Sequence, residues 1–494
     1  MSFFSDCSPC PVREEYDVIV VGAGPAGSAA AEYAAASGVS VLLIDRHQEI
    51  GTPVRCGGFV PESGELRSLI PGFEYPVEMD EIPERCILNR TSVQRVFSPD
   101  MHQISFGVNG LVLDRHLFDA WLCGKACEAG ADLLCGTTVR QISGNRLTLN
   151  GIFGKKEVSG KVIIGADGPH SSVAAAAGLL HRKRIEDPRH LPERGLGFEY
   201  KMTGVNVDQD ALEMYFGNET VPGGYAWIFP EGDGRANVGV GIRPSLLSRE
   251  RSGKADRSGK SGRSGKSGRT GEPAGPGGSG AALSSHMSAK SFLNRFITSH
   301  PAASEKLKGG RITGIVSGVI PVDGAPEKTV AELPGGGCVM IAGDAAGHVL
   351  ATNGGGIPFA ASAGMIAGKT AADLISGNAV PDDYEKRWRA SFGDALDASV
   401  RSREMLDRFM VSDRMMNAAF RLLPPGSLKE MQCGHMPGSL RKALSLIFRC
   451  AFTRDFTVPS LCLHCAFTVP SLCLHCAFTV PSLCLHCAFT VISL

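Results

Sequence analysis

Tyr16 to Asp45 reads YDVIVVGAGPAGSAAAEYAAASGVSVLLID and predicts a strand, a tight turn, a helix and a second strand. Val18 to Val21 is a continuous β-branched run, as expected of a parallel strand that is buried on both faces. Pro25 to Ser37 is built almost wholly from small residues and predicts a helix, which Gly38 ends. Val39 to Ile44 follows as a second buried strand. The stretch therefore predicts one strand–turn–helix–strand unit of a parallel sheet.

The turn in this unit has the GxGxxG spacing of a dinucleotide-binding loop. Gly22 makes the tight turn, Gly24 lets the backbone approach a pyrophosphate, and Gly27 lets helix and strand pack closely. The free N–H groups at the helix N-terminus attract the anion, and Asp45 at the end of the second strand can bind a ribose hydroxyl pair. The sequence predicts a dinucleotide site here, and these residues do not decide between FAD and NAD.

The composition of the whole chain is that of a globular protein with two or three domains. Its 494 residues are 43% hydrophobic and 20% charged, with 50 basic and 50 acidic side chains, so no charge excess points to nucleic acid. Neither a secretory signal nor an apolar segment long enough to cross a bilayer stands out. We therefore expect a cytoplasmic protein, with peripheral contact at the inner face of the membrane left open.

The cysteines indicate reduced thiols rather than a disulfide framework. Seven of the 16 fall in the last 45 residues, and the others are scattered. Cys56 stands at the head of the loop between Glu49 and Pro61, in which Gly57 and Gly58 follow it directly. This loop is expected at the carboxyl edge of the sheet, where ligands lie in such folds. A lone cysteine is also a common small core residue, and position alone leaves both readings open.

Leu111 to Leu122 predicts the start of a helix, with Asp114 as its N-cap and a buried stripe of Leu117, Trp121 and Leu122. Arg115 in the first turn would face the phosphate end of a bound nucleotide. A solvated surface arginine would have the same spacing, so the sequence leaves this residue open between the two roles.

Two further buried strands end on an acidic residue followed by glycine or alanine. Asp167 ends the first, in the run Gly165-Ala-Asp167-Gly168, and Asp344 follows the second. Glycine beside an acid at the tip of a buried strand is typical of a turn that faces a ligand. The glycine run that ends at Gly356 precedes a helix predicted over Pro358 to Leu374, whose amino end would face the same edge of the sheet.

Residues 181 to about 245 change to the alternating pattern of an antiparallel sheet, for example in Leu196 to Met202. Tyr225, Trp227 and Phe229 fall on one face of a strand because side chains alternate along it, and Ala236 to Ile242 is expected as the hairpin partner. Such an aromatic face is either plain core or the wall of an apolar substrate pocket. The segment between residues 69 and 106 predicts only short irregular strands and turns.

Two segments have low complexity. Residues 249–282 are a Ser-Gly-Lys/Arg repeat that shades into Gly-Pro-Gly-Gly-Ser, which predicts a disordered surface insertion. From residue 450 the chain repeats AFTVPSLCLHC with an eleven-residue period. Cys/His clusters of this kind could bind zinc. Identical copies without a flanking fold instead favour an expanded repeat of low structural order. No metal site is therefore predicted.

Three segments that are far apart in the chain are expected to meet at one ligand: Gly22–Asp45, Gly165–Gly168 and Gly343–Ile357. Their order along the chain resembles that of FAD-dependent proteins of the para-hydroxybenzoate hydroxylase type. Together with PVRCGG at 53–58, LDRHLFD at 113–119 and YAWIFP at 225–230, the chain resembles the geranylgeranyl reductase family over roughly residues 15–245 and 285–420.

The resemblance implies an α/β fold, with a Rossmann-like FAD-binding domain, an antiparallel-sheet substrate domain and a C-terminal helical region. The predicted division is a flexible N-terminus at 1–14, an FAD-binding domain at 15–60, 108–180 and 311–400, a substrate domain at 61–107 and 181–310, a helical region at 401–449 and the repeats at 450–494.

The resemblance also implies bound FAD and stepwise hydrogenation of double bonds in a prenyl chain, of an archaeal ether lipid, a quinone tail or a chlorophyll precursor. Carried over by position, the cofactor-binding residues are Gly22, Gly24, Gly27, Asp45, Arg46, Cys56, Gly57, Arg115, Val139, Asp167, Asp344, Gly356 and Ile357. Cys56 would also act in flavin chemistry, and Tyr225, Trp227 and Phe229 would line the lipid tunnel.

Three alternatives remain at this point. They are an aromatic hydroxylase or halogenase, an electron-transfer flavoprotein linked to quinone, and a flavin-binding scaffold without chemistry. Ala174 stands where the hydroxylase relatives have an arginine that serves a nicotinamide donor. A protein donor such as ferredoxin is therefore expected rather than NAD(P)H, and a monomer or small homo-oligomer is expected as the assembly.

Overall fold

The structure is a computed structural model that describes residues 13–152, 154–181, 193–246, 288–334 and 336–432. Three predictions fall outside these residues: the flexible start of the chain up to residue 12, the basic insertion at 249–282 and the repeats at 450–494.

Sixteen strands and eleven helices form the described part of the chain. The strands are β1 (Glu15–Val21), β2 (Val41–Ile44), β3 (Phe59–Pro61), β4 (Ile87–Phe97), β5 (Gln103–Leu113), β6 (Asp132–Leu134), β7 (Thr138–Ser143), β8 (Arg146–Gly151), β9 (Gly154–Gly165), β10 (Arg194–Thr203), β11 (Ala211–Tyr215), β12 (Tyr225–Gly232), β13 (Arg235–Ile242), β14 (Arg311–Pro321), β15 (Val330–Glu332) and β16 (Cys338–Ile341). The helices are α1 (Pro25–Ala36), α2 (Ser63–Leu69), α3 (Arg115–Glu128), α4 (Ser172–Ala176), α5 (Ala289–Ser299), α6 (Ala303–Lys306), α7 (Ile357–Ile375), α8 (Asp382–Trp388), α9 (Asp394–Phe409), α10 (Asp413–Leu422) and α11 (Pro425–Gln432).

The first sheet has a parallel centre in the order β16-β9-β1-β2-β6, with β15 antiparallel at one edge. Val21 pairs with Ile44 on one side and with Gly165 on the other, and Gly165 pairs in turn with Ile341. Four strands therefore end side by side, and the residues that follow each of them meet at one edge. This confirms the predicted strand–turn–helix–strand unit and the predicted α/β class.

Helix α1 and helix α7 pack closely because both present small residues at their contact. A Cβ on Gly364 would lie 2.0 Å from the carbonyl oxygen of Ala26, and one on Gly368 would lie 2.3 Å from that of Ala30. Side chains at these positions would separate the two helices. The contact brings the amino ends of both helices to the ligand edge of the first sheet.

The second sheet runs β14-β10-β13-β12-β11-β4-β5-β3 and is antiparallel except between β11 and β4. One face is covered by α5, whose Phe292, Leu293 and Phe296 are buried against Tyr200 and neighbouring side chains of the sheet. The opposite face of β10, β12 and β13 turns toward the ligand edge of the first sheet.

The structure differs from the predicted boundaries at three strands. β3, most of β5 and β14 lie in the segments assigned to the FAD-binding domain, yet all three belong to the second sheet. The prediction of short irregular strands between residues 69 and 106 is wrong, because β4 has 11 residues and β5 begins in the same segment with another 11. The predicted buried stripe of α3 is confirmed at Leu122 but wrong at Leu117, which is 37% exposed; Trp121 is half-buried, and Phe118 is buried in addition.

Candidate active site

The glycine turn after β1 is shaped for a ligand. A Cβ on Gly22 would lie 2.3 Å from the carbonyl oxygen of Ala166, and one on Gly27 would lie 1.7 Å from the carbonyl oxygen of Gly22. These two glycines therefore serve the packing of the turn. A Cβ on Gly24 would meet none of the described residues beyond its chain neighbours within 4 Å, so its missing side chain leaves space for a ligand at the amino end of α1. The residues present thus fit the pyrophosphate of a dinucleotide.

Asp45 lies at the end of β2 and fixes the same turn. Its carboxylate accepts hydrogen bonds from the backbone N–H of Ala23 at 2.8 Å and of His47 at 2.8 Å, and it lies 2.9 Å from His47 Nδ1. Asp45, Arg46 and Val139 all line the large cavity described below. The positions expected to hold the ADP half are therefore together at one end of that cavity.

Asp167 also lines the cavity, but its carboxylate is engaged with the amino end of α4. It accepts from Ser171 Oγ at 2.5 Å, from Ser172 N–H at 2.7 Å and from Val173 N–H at 3.3 Å. Its main interactions in the structure thus stabilise the turn that follows β9, and they satisfy N–H groups that a helix leaves free at its start.

Asp344 lies beside the amino end of α7. A Cβ on Gly356 would lie 3.6 Å from Asp344 Oδ1, and Ile357 begins the helix next to it. Burial raises the pKa of Asp344 to about 6, and the Arg115 guanidinium acts in the opposite direction. A carboxyl held against a helix N-terminus can accept a hydrogen bond from a polyol, as the resemblance implies for Asp344.

Arg115 is held by Asp119 in a two-point ion pair in which Nε and Nη2 each donate at 3.0 Å. The predicted N-cap is confirmed, because Asp114 accepts from the N–H groups of His116 and Leu117 and starts α3 at Arg115. Arg115 lines the cavity rather than pointing to solvent, so it is not a solvated surface arginine, and its contact with a nucleotide phosphate stays a prediction.

Cys56 faces the cavity beside Arg115. Its Sγ accepts from the backbone N–H of Gly58 at 3.4 Å. Burial raises the pKa of the Cys56 thiol, while Arg115 acts to lower it, so the neutral thiol is favoured at neutral pH. The loop lies against the second sheet, since a Cβ on Gly57 would be 3.3 Å from the Phe229 ring.

Tyr225, Trp227 and Phe229 form a row along β12, with 5.8 Å between each pair of neighbouring ring centroids. All three line the cavity. The Tyr225 hydroxyl donates to the carbonyl oxygen of Asn353 at 2.5 Å, and the Trp227 indole donates to Asn237 Oδ1 at 2.9 Å. Both polar groups are satisfied, and the row presents its rings to the space beside Cys56.

The cavity has a volume of about 800 Å³ and continues from the glycine turn past Cys56 to the C-terminal helices. Its far end is mostly apolar, although the charged side chains of Arg403, Asp407 and Lys429 also line it. The residues that form this end come from β4, β11 and α9 to α11 and include Val96, Met214, Phe216, Phe409, Phe420 and Leu423. The sequence does not identify these residues as cavity wall, because apolar residues of amphipathic helices serve a core and a cavity wall equally well.

Glu199 is a polar residue of the site that the sequence does not predict. It lies on β10, lines the cavity and is 3% exposed. In the sequence it occupies a polar position of an alternating strand, which is the pattern of an ordinary solvated face.

Comparisons with known proteins agree with this geometry. Residues 15–191 match the model of an FAD binding domain, and residues 195–257 match that of the geranylgeranyl reductase catalytic domain. The digeranylgeranylglycerophospholipid reductase of Methanosarcina acetivorans is 34% identical over 408 residues, which are 79% of this chain and 84% of the relative. The chain belongs to the geranylgeranyl reductase family.

Other members of the geranylgeranyl reductase family match over similar lengths. Digeranylgeranylglycerophospholipid reductase 2 of Methanothermobacter thermautotrophicus is 33% identical over 83% of this chain and 92% of the relative. A geranylgeranyl bacteriochlorophyll reductase-like crystal structure from Thermoplasma acidophilum has a TM-score of 0.66 at 26% identity, covering 88% of this chain and 99% of that one. A flavin-dependent brominase, 16% identical with a TM-score of 0.52 over 88% of this chain and 98% of its own, shares the fold alone.

The resemblance drawn from the sequence is thus confirmed, as are the FAD-binding domain and the para-hydroxybenzoate hydroxylase type of fold. Bound FAD supplies two-electron redox chemistry that protein side chains lack. Among the described residues, no helix is both long enough and apolar enough to cross a membrane.

Proposed function

We propose that this geranylgeranyl reductase family member hydrogenates isolated double bonds in the prenyl chains of an archaeal ether phospholipid, with FAD as the redox cofactor. The observation that carries the proposal is the single cavity that joins the glycine turn after β1 to an apolar space under the C-terminal helices. The curated relatives from Methanosarcina and Methanothermobacter act on digeranylgeranylglycerophospholipid by name, which supports this substrate class.

The shape of the cavity suits this reaction. An isolated alkene offers no polar group for recognition, so binding depends on burial of its apolar surface, worth about 25 cal/mol per Å². The aromatic row on β12 and the side chains of α9 to α11 provide such a surface. Enclosure by these residues also excludes water from the reacting carbons.

The residues near the middle of the cavity would bind either the flavin or the prenyl chain. Asp344, Gly356 and Ile357 would hold the ribitol and the ring of the flavin, and Cys56 and Gly57 would lie beside the isoalloxazine. Trp227 and Phe229 would hold the prenyl chain against it. Tyr225 would both line the tunnel and steady the glycine turn through its hydrogen bond to Asn353.

We also propose a protein electron donor, such as ferredoxin, rather than NAD(P)H. Ala174 occupies the position of the hydroxylase arginine and is 1% exposed within α4. This position therefore offers no positive charge to the phosphates of a nicotinamide nucleotide. Saturable turnover of prenyl lipid with NADPH alone would contradict this part of the proposal.

The test is lipid mass spectrometry of cells that make unsaturated archaeal ether lipids, with and without this chain and a co-expressed ferredoxin. We expect mass gains of two hydrogens per reduced double bond. Cys56→Ser should lose most of the gain. Cys86→Ser, which changes a buried cysteine outside the cavity, should keep it.

Absence of any mass gain would reject the proposal, provided that the purified protein carries a reducible flavin. Reoxidation of that flavin by a quinone would then favour the electron-transfer alternative. Oxygen uptake with an aromatic substrate and NAD(P)H would favour a hydroxylase or halogenase.

A further inference from the structure

Glu199 lies on the cavity side of β10, with a glycine before it on the same face and another opposite it on β13. Phe198 and Tyr200 turn to the opposite face and pack in the core under α5. Gly197 precedes Glu199 on the cavity side, and Gly239 is its partner across the strands. A Cβ on Gly239 would lie 2.2 Å from the Trp227 ring. The absence of side chains at these positions lets the indole and the Glu199 carboxyl approach the same space.

Among the described residues, the carboxyl of Glu199 is buried without a counterion of its own. Within the same part of the chain its Oε2 has no partner at hydrogen-bond geometry, and the nearby Asn237 likewise leaves Nδ2 unpartnered. The Asn237 amide is still close enough to favour the charged form of Glu199. Lys201 instead contacts Glu231 at 3.1 Å, and Arg115 contacts Asp119 at 3.0 Å. A buried carboxylate without an ion pair is costly, so the group favours its neutral, proton-carrying form.

The titratable groups around Glu199 come from several elements. Burial raises the pKa of Glu199 to about 7, the Asn237 amide and the Lys201 ammonium act to lower it, Glu231 raises it, and Arg115 lowers it. Cys56 and Tyr225 also interact electrostatically with Glu199, and burial raises the pKa of both of them. Near neutral pH, Glu199 is thus the group in this set that is poised to exchange a proton.

The carboxyl also lies where the reaction would take place. A Cβ on Gly57, at the turn expected beside the isoalloxazine, would lie 3.4 Å from Glu199 Oε2. The rings of Trp227 and Phe229, which would hold the prenyl chain, line the same part of the cavity.

We propose that Glu199 is the acid that donates the proton to the prenyl double bond, an assignment that rests on the proposed function. Reduction of one C=C bond requires a hydride, which reduced flavin supplies, and a proton on the neighbouring carbon. The O–H bond of Glu199 breaks as the new C–H bond forms, and the flavin is oxidised while the alkene is reduced. The resulting carboxylate regains a proton from solvent before the next double bond is reduced.

The experiment compares wild type with Glu199→Gln, which keeps the shape of the side chain but carries no transferable proton. The flavin-loaded protein is reduced chemically without oxygen and mixed with digeranylgeranylglycerophospholipid, and flavin reoxidation is followed by absorbance. We expect a loss of at least about 100-fold in the rate for Glu199→Gln, as for removal of a general acid. The wild-type rate should fall as the pH rises through about 7, and this inflection should be absent in the variant.

A second measurement is independent of turnover. Infrared difference spectra of the flavin-loaded protein without substrate should show a carboxyl band that titrates at about pH 7 in wild type and is missing in Glu199→Gln. The band of Asp344, which should titrate at about pH 6, should remain in the variant. Glu213→Gln is the matched control, because Glu213 is a buried carboxyl of the same sheet, bonded to Lys306, and does not line the cavity. It should retain both the band and the inflection.

Retention of the pH inflection in Glu199→Gln would overturn the assignment. Loss of that inflection in Cys56→Ser together with its retention in Glu199→Gln would make the thiol the donor. If wild type itself is not reoxidised by the lipid, the proposed function fails and the assignment fails with it. If wild type is reoxidised but Glu199→Gln reacts equally fast, the assignment fails alone.

Discussion

The phenol of Tyr225 donates a 2.5 Å hydrogen bond to the backbone carbonyl of Asn353 and so joins the second sheet to the glycine turn before α7. Asn353 precedes Gly354, Gly355 and Gly356, which line the cavity beside Asp344. A wall of the expected lipid tunnel is therefore tied directly to the backbone expected to hold the flavin.

Tyr225→Phe should loosen this turn. Removal of a buried hydrogen bond is expected to lower the free energy of unfolding by about 1–3 kcal/mol. It should also weaken FAD retention, because the turn contributes backbone to the cofactor site. Thermal unfolding and flavin release on dilution measure the two effects. Tyr200→Phe is the control: its hydroxyl donates to Asn294 at 3.1 Å on the other face of the sheet, so it should affect unfolding without affecting flavin release.

Gly24→Ala and Gly27→Ala should fail in different ways. In the described part of the chain, a Cβ on Gly24 would meet no atom within 4 Å beyond its chain neighbours, whereas one on Gly27 would lie 1.7 Å from the Gly22 oxygen. Gly24→Ala is therefore expected to fold normally but to bind FAD at least about tenfold more weakly, a loss of about 1.4 kcal/mol. Gly27→Ala should lower the thermal unfolding temperature even without FAD. Normal FAD affinity in Gly24→Ala would contradict the placement of the pyrophosphate.

The sequence was sufficient for the parts of the site that depend on glycine and on strand ends. Gly22 and Gly27 are fixed by backbone contacts too short for any side chain, and such constraints are visible in a motif. Helix caps are local as well, which is why Asp114 could be identified.

Other features depend on neighbours that are distant in the chain. The sequence of β4 does not predict a long strand, because polar residues interrupt its alternation of apolar and polar positions. Its pairing with β5 is also broken by bulges near Asn89 and Thr91. β14 could be placed only by its pairing with β10. The polar position of Glu199 is equally typical of a solvated strand face, and its burial follows from the packing of the Cys56 loop and the aromatic row over it.

Cys56 should react slowly with alkylating reagents. Burial raises the pKa of this thiol, so the reactive thiolate is scarcer at pH 7 than for an ordinary cysteine. Iodoacetamide labelling followed by peptide mass spectrometry should show little modification of Cys56 at pH 7 and a steady increase at higher pH. Prenyl lipid should protect it further if the chain lies beside it. Rapid labelling at neutral pH would instead indicate a thiolate stabilised by Arg115.

Asp344 should make the FAD-free protein lose stability as the pH rises. Burial raises the pKa of this carboxyl from 3.8 to about 6 in the folded protein, so the folded state binds more protons than the unfolded state between these values. The free energy of unfolding should therefore fall from about pH 4 through about pH 6. The full pKa shift corresponds to about 3 kcal/mol, and the fall should be smaller than this because the carboxyl faces the cavity. Asp344→Asn should remove this part of the pH dependence and be relatively more stable than wild type at pH 7. Urea unfolding of both proteins across this range measures the difference, and identical pH profiles would show that Asp344 is well solvated without the cofactor.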